Sequence, residues 1–242
     1  MAFDLKSIRK NEAISSPRVL LYGVEGIGKS SFGASAPNPI FICTEDGLGS
    51  LKVDSFPLAK SSDDVLAAIG TLYSSKHEFR TVVIDSMDWL EAMIAKEIET
   101  KYDAKDLAYG RAAVYAVGRM REILDGLNAL RNDKGMIVIL IAHCQIRRFD
   151  SPEVEPYDRY MPKLQDKANA VVREWADAVL FCNYKTVVKK DDVGFNQTNN
   201  RGISTGERLL FTSEKPAYMA KNRYSMPESI PLSWDDFASA IN

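Results

Sequence analysis

Histidine and cysteine are scarce in this chain of 242 residues, with two of the first and three of the second, Cys43, Cys144 and Cys182. There is no C-x-x-C pair, and each cysteine lies inside or just after an apolar run. These absences exclude a disulfide framework and a zinc site, and leave the thiols as small core side chains in a reducing compartment. No charge of one sign dominates: 31 basic residues face 33 acidic ones, so contact with nucleic acid must rest on a local patch rather than a global field. No apolar stretch approaches the ~18 residues that span a bilayer. MAFDLKSIRKNEA at the N-terminus lacks the apolar segment of a signal peptide. The expectation is a cytoplasmic protein with no membrane partner. Internal repeats, Pro-rich linkers and low-complexity segments are also missing. At 45% apolar and 26% charged, the chain is expected to form one α/β domain over residues 1–242.

Residues 18–30 read RVLLYGVEGIGKS, an apolar strand running into Gly23-x-x-x-x-Gly28-Lys29-Ser30. Two glycines let the backbone turn tightly, so that successive N–H groups converge on a phosphate with no Cβ in the way. A helix opening near Lys29 adds its positive end, Lys29 reaches the β/γ-phosphates, and the Ser30 hydroxyl ligates Mg²⁺. ATP and Mg²⁺ are therefore the expected ligands of Gly23, Val24, Glu25, Gly26, Ile27, Gly28, Lys29, Ser30 and Ser31. The competing reading is a glycine-rich strand-to-helix turn with an incidental lysine; the strand before the motif and the helix-compatible SSFGASA after it favour the phosphate loop.

Short β-rich runs at 18–23, 39–44, 81–86 and 136–144 alternate with helix-compatible segments at about 29–35, 62–75, 87–101 and 109–132. Near-continuous apolar strands between helices predict a mostly parallel sheet covered on both faces. After residue 163 the pattern changes. KLQDKANAVVREWADA spaces Leu164, Ala168, Val171, Val172 and Trp175 for one helical face. AVLFCNYKTVVKK, ERLLFTS and PAYMAKN then predict antiparallel strands added at the sheet edge, joined through the polar stretch 191–206. SWDDFASAI closes the chain as a short helix capped by Ser233.

Three more strand ends carry chemistry. TVVIDS ends in Asp85, where a carboxylate can hold the water shell of Mg²⁺ opposite Ser30; by itself Asp85 would serve equally as a helix N-cap. Glu45 and Asp46 follow PIFICT. If that strand lies beside the phosphate-loop strand, Glu45 projects toward the γ-phosphate and can orient the attacking water; the alternative is a polar turn before Gly47. Glu25, inside the loop, is a weaker rival because side chains there point outward. IAHCQIRRF puts His143 and Gln145 on one face, with Gln145 able to bond the γ-phosphate. The long polar chain that follows mixes Arg147, Arg148, Arg159 and Lys163 with Phe149 and Tyr160, the cation and aromatic pairing that single-strand binding uses. Four acidic residues between 150 and 158 dilute that signal, and a solvated loop explains it as well.

The order of phosphate loop, strand with Glu45, strand ending in Asp85-Ser86, helix with Tyr109-Gly110-Arg111 and strand ending in His143-Cys144-Gln145 resembles the RecA-type P-loop ATPase core. More narrowly it is similar to the compact phage ATP-binding proteins of that superfamily that act in single-strand annealing or as recombinase-like proteins. The resemblance covers roughly residues 16–235. It implies a RecA-like NTPase fold, Glu45 as water-activating glutamate, Gln145 as the residue coupling γ-phosphate to a DNA-binding loop at 146–162, and Lys221 with Arg223 as a Lys-x-Arg pair reaching the ATP of an adjacent subunit. Cations at alternate strand positions face one side, and an arginine supplied in trans accelerates phosphoryl transfer by on the order of 10³ to 10⁵. A basic end that keeps an edge strand from pairing is the plain alternative for Lys221 and Arg223.

The resulting expectation is a Mg²⁺-dependent ATPase that binds single-stranded DNA and assembles into rings or filaments with nucleotide at subunit junctions. FDLKSI, within residues 1–16, would be the oligomerisation arm and a single-strand-binding protein a further partner. The chain lacks the separate DNA-binding domains of larger recombinases, so annealing or loading is expected rather than strand exchange. A P-loop small-molecule kinase with 146–160 as its lid, and a slow nucleotide-dependent switch, are the rival classes.

Overall fold

The computed structural model describes residues 15–192 and 198–241. Its strands are β1 (Arg18–Gly23), β2 (Pro39–Cys43), β3 (Asp54–Ser55), β4 (Thr81–Asp85), β5 (Ile137–Phe149), β6 (Tyr157–Pro162), β7 (Ala178–Asp192), β8 (Thr198–Phe211), β9 (Lys221–Asn222) and β10 (Ser229–Pro231). Helices α1 (Lys29–Ala34), α2 (Ser62–Ser74), α3 (Met87–Lys101), α4 (Ala104–Leu107), α5 (Arg111–Lys134), α6 (Asp166–Trp175) and α7 (Trp234–Ala240) fill the connections. The sheet runs β10-β8-β7-β1-β5-β4-β2-β3. From β7 to β3 all neighbours are parallel, whereas β8, β9 and β10 add antiparallel pairings at the β7 edge. This is the expected mixed α/β architecture of a P-loop NTPase. Among the described residues no helix is long and apolar enough to cross a membrane.

Alternation along each buried strand sends successive side chains to opposite faces. Leu20, Tyr22, Ile42, Val82, Ile84, Leu140 and Phe181 pack on one face against Leu72, Leu90, Ile94, Leu127 and Val172 of the larger helices. Val19, Leu21, Phe41, Val83, Ile139 and Leu180 pack on the other with Phe32 of α1 and Trp234 and Phe237 of α7. Both faces are covered, which is why these strands read as unbroken apolar runs. The helices begin where their sequences provide a cap: the Ser61 hydroxyl accepts from Asp64 N–H at 3.1 Å while the Asp64 carboxylate accepts from Ser61 N–H at 3.1 Å. Ser233 accepts from Asp236 N–H at 3.4 Å at the start of α7, as expected.

Three segments differ from the sequence reading. The polar connection expected over 146–162 is a β-hairpin: β5 continues to Phe149 and pairs antiparallel with β6, from Cys144 opposite Pro162 to Phe149 opposite Tyr157. Side-chain contacts across the hairpin favour it, with the Phe149 and Tyr157 rings 5.5 Å apart and the Arg159 guanidinium 4.0 Å over Phe149. PAYMAKN contributes only the short β9, because Ala217 and Met219 spend their backbone groups on Tyr160 instead. Of the stretch 191–206, the described residues 191–192 and 198–206 belong to β7 and β8, which pair out to Asp192 opposite Thr198. The expected oligomerisation arm FDLKSI lies outside the described residues.

Phe181 sits at the centre of an aromatic cluster, its ring centroid 5.1 Å from Tyr22, 5.0 Å from Tyr160, 5.1 Å from Tyr218 and 6.0 Å from Phe211. Rings from β1, β6, β7 and β8 thus bolt the added strands to the parallel core. Phe181→Ala is expected to lower unfolding free energy by about 3–5 kcal/mol, measured as a shift of the denaturant midpoint at unchanged slope; a loss below ~1 kcal/mol would show that the cluster is not a centre of stability.

Candidate nucleotide site at the carboxyl edge of the sheet

β1 ends at Gly23, and the loop from Val24 to Gly28 leads into α1. A Cβ on Gly23 would lie 2.2 Å from the carbonyl oxygen of Cys182, so the close approach of β7 already demands glycine here. This is a nearer reason than the phosphate clearance that the sequence suggests. Gly28 has φ +110°, a conformation that side chains resist, immediately before the first helical turn. Ile27 is fully buried in the smaller core and anchors the loop, whereas Glu25, Gly26 and Ser31 are exposed and Val24 is half-buried.

Lys29 is 7% exposed, and its ammonium donates to the carbonyls of Gly23 (3.1 Å) and Val24 (3.0 Å). The Ser30 hydroxyl donates to Asp85 Oδ2 at 2.6 Å. Asp85 therefore faces the phosphate loop; the N-cap position of α3 belongs to Ser86. Burial pushes the Asp85 carboxyl above the usual carboxylate range, and nearby Glu45 adds to this, while the Ser30 hydroxyl and Lys29 pull it back. A nearly buried ammonium held on two carbonyls, beside a left-handed glycine at a helix start, suits a polyphosphate. Among the described residues no group of three or more His, Cys, Asp or Glu side chains could hold a metal. A cation here would thus need oxygens from a bound phosphate besides Ser30 and Asp85, which fits the hard, phosphate-borne Mg²⁺.

Glu45 reaches this edge by a route the sequence does not show. β2 is not beside β1, since β5 and β4 lie between them. Instead Ser86, fully buried, donates its hydroxyl to Glu45 Oε1 at 2.6 Å and its N–H to Thr44 Oγ1 at 2.8 Å, and the Thr44 hydroxyl donates back to the Ser86 carbonyl at 2.7 Å. His143, in register opposite Gly23, places Nδ1 3.9 Å from Glu45 Oε1 and 2.9 Å from Asp88 Oδ2. The His143 N–H also donates to Asp88 Oδ1 at 3.0 Å. Asp88 thereby favours the proton on Nδ1 and raises the His143 pKa against the opposing effect of burial. Burial acts upward on Asp88 too, but its hydrogen bonds with His143 outweigh it and hold the carboxyl below the usual range. Sequence reasoning missed Ser86, Asp88 and Thr44, although Asp88 stands in the first helical turn after the strand ending in Asp85.

Other expected site residues are placed elsewhere. Gln145 donates its amide to the carbonyls of Pro162 (3.0 Å) and Leu164 (3.2 Å), tying β5 to the entry of α6. Arg159 is 8% exposed and paired with Glu214 at 3.0 Å, and half-buried Tyr160 stacks on Phe181; both are engaged within the fold. Arg148 and Lys163 are exposed, Phe149 is half-buried, and Arg147 pairs with Asp166. Lys221 donates to the carbonyls of Arg173, Glu174 and Ala176 at 2.8, 3.0 and 2.6 Å, capping the C-terminal end of α6. Arg223 lies 3.1 Å from Asp177, which also holds Arg18 at the opposite edge of the sheet from the phosphate loop. Lys221 and Arg223 thus each have a partner within the chain. The sequence reading also passed over Arg208, whose guanidinium would stand 3.3 Å from a Cβ on Gly28. Arg208 lines a cleft of about 270 Å³ beside the loop with Phe32, Leu232 and Trp234.

A family model described as AAA domain matches residues 15–224. No curated protein matches the chain.

The His143–Asp88 pair sets a pH signature. A histidine whose pKa rises on folding stabilises fully below its unfolded value of about 6.5, and that stabilisation is lost as pH climbs through the raised value. Asp88, lowered on folding, contributes above about 3.9 and is lost as pH falls through its lowered value. The melting-temperature gap between wild type and His143→Gln is therefore expected to be widest between about pH 4 and 6.5 and to close at higher pH. A gap independent of pH would remove the ion pair from the account.

Proposed function

The chain belongs to the AAA-domain family of P-loop ATPases, and on that premise we propose that it binds ATP with Mg²⁺ at Gly23–Ser31 and hydrolyses it with Glu45 as the water-orienting base. The observation that carries this is the Ser86–Glu45 hydrogen bond of 2.6 Å, which delivers a carboxylate to the edge that already gathers Lys29, Ser30 and Asp85. When bound, Mg²⁺ supplies neutralisation of the phosphate charge, with Ser30 and Asp85 as its protein-side partners. Lys29 trades its two carbonyl acceptors for phosphate oxygens and offsets charge as the γ-phosphoryl leaves. Glu45 accepts a hydrogen bond from the attacking water and takes its proton. Ser86 fixes the direction of that carboxylate, and His143, locked by Asp88, stands beside it as a positioning residue.

We further propose that single-stranded DNA couples to this cycle through the β5–β6 hairpin, with Arg148, Lys163 and Arg147 as the cations and Phe149 as the aromatic, in phage-type annealing. Support comes from the course of β5, which passes His143 in the site and continues without a break to Arg148 and Phe149. A signal at the γ-phosphate would then reach the hairpin along one strand.

Steady-state turnover separates these readings. Glu45→Gln is expected to bind nucleotide as wild type does but to lose about 10²-fold or more in rate, while Lys29→Ala loses binding as well. Wild-type turnover in Glu45→Gln would end its assignment as the base, and phosphotransfer to a small acceptor would identify a kinase instead. An unstructured oligonucleotide should raise the rate, with stimulation fading as salt rises and weakened in the Arg148→Glu/Lys163→Glu double variant. Turnover indifferent to DNA at every salt concentration would leave an ATPase without that partner.

A further inference from the structure

α3 carries an apolar stripe toward the core and a second, mixed face. Met87, Leu90, Ile94 and Ile98 face the core, as an amphipathic helix requires. Trp89, Ala92, Met93 and Lys96 fall at i, i+3, i+4 and i+7 on a second face that the fold leaves open. Trp89 is 50% exposed and Leu58, from the segment before α2, is 45% exposed. Between them runs a groove of about 710 Å³, floored by Leu58, Ala59, Ala92 and Met93. Its rim bears Lys60, Lys96 and Lys101, all exposed. Among the described residues the one acidic side chain lining it, Glu97, is committed to the N–H and hydroxyl of Ser62. An aliphatic floor with one tryptophan and an ammonium rim has a definite complement. It takes apolar side chains below and carboxylates above.

We propose that this groove docks an acidic amphipathic peptide segment of a partner protein, with an apolar anchor against Trp89 and carboxylates on Lys60, Lys96 and Lys101. A nucleic-acid strand fits less well, because stacking successive bases needs several aromatic faces and, among the described residues, Trp89 alone of the aromatics lines the groove. The rim sets both the orientation of the peptide and its salt dependence, whereas the floor gives the affinity. Thr44, which bonds Ser86, also lines the groove, but the floor and rim residues named above lie outside the nucleotide site, and peptide binding is read without ATP turnover.

The test uses the 242-residue chain and a fluorescein-labelled synthetic decapeptide of alternating Asp and Leu ending in Phe, followed by anisotropy and by tryptophan emission. Saturable binding with a blue shift is expected, weakening at least about tenfold between 50 and 500 mM NaCl as the exposed charges are screened. The Lys60→Glu/Lys96→Glu double variant, which alters only exposed side chains, should lose at least tenfold in affinity while its melting temperature stays at the wild-type value. Trp89→Phe should abolish the blue shift, because the other tryptophans are Trp234, which is buried, and Trp175, which is bonded to Asn128. Absence of saturable binding would overturn the proposal, as would equal affinity for a Lys-for-Asp peptide or undiminished affinity in the double variant. An oligothymidine that produces the Trp89 shift while the peptide does not would overturn it in favour of nucleic acid.

Discussion

A partly buried hydrogen bond of 2.6 Å from the Ser30 hydroxyl to Asp85 joins the first turn of α1 to the carboxyl end of β4. Across the strand between them, β5, this bond spans the point at which the phosphate loop and the acidic strand ends meet. Everything else at the edge is arranged around it. Lys29 folds back on the loop, Ser86 follows Asp85 and turns Glu45 inward, and His143 fills the space above β5 with Asp88 behind it. Such a cluster is costly to bury without partners, and each member has one.

The opposite edge of the sheet holds the structure still. Asp177 accepts from Arg18 at 2.7 Å, lies 3.6 Å from Arg131 and bonds Arg223 at 3.1 Å. Burial pushes the Asp177 carboxyl upward, but Arg18 and Arg131 outweigh this and keep it below the usual range. Four segments, the starts of β1 and β7, the end of α5 and the chain after β9, are thus gathered on one carboxylate. Lys221 adds the end of α6 to the same assembly. The cations that the family resemblance assigns to a neighbour's nucleotide serve this network within the chain.

The parallel core was legible because its strands are buried on both faces and its helices carry their own caps. α3 was placed to the residue, and α1 and α2 to within one, since Ser61, Gly28 and the apolar spacing are local signals. The hairpin at 144–162 was not, because Tyr160 anchors it to the ring of Phe181 and the carbonyl of Ala217, partners distant in sequence. The same holds in the site. Gly23 to Ser30 and Asp85 are read from spacing alone. The Ser86–Glu45 and His143–Asp88 contacts depend on strand order, which places β4 between β2 and β5. No local pattern encodes that order.

Asp88 and Trp89 are successive residues in the first turn of α3 and so point about 100° apart around its axis. One is fastened to His143 in the nucleotide site and the other stands in the open groove. The helix therefore behaves as a spindle whose two adjacent spokes engage different surfaces. A turn of α3 about its own axis would carry the indole and the Asp88 carboxylate together. Were a ligand on either surface to favour one orientation of α3, reciprocity would give the other surface the same preference in equal measure.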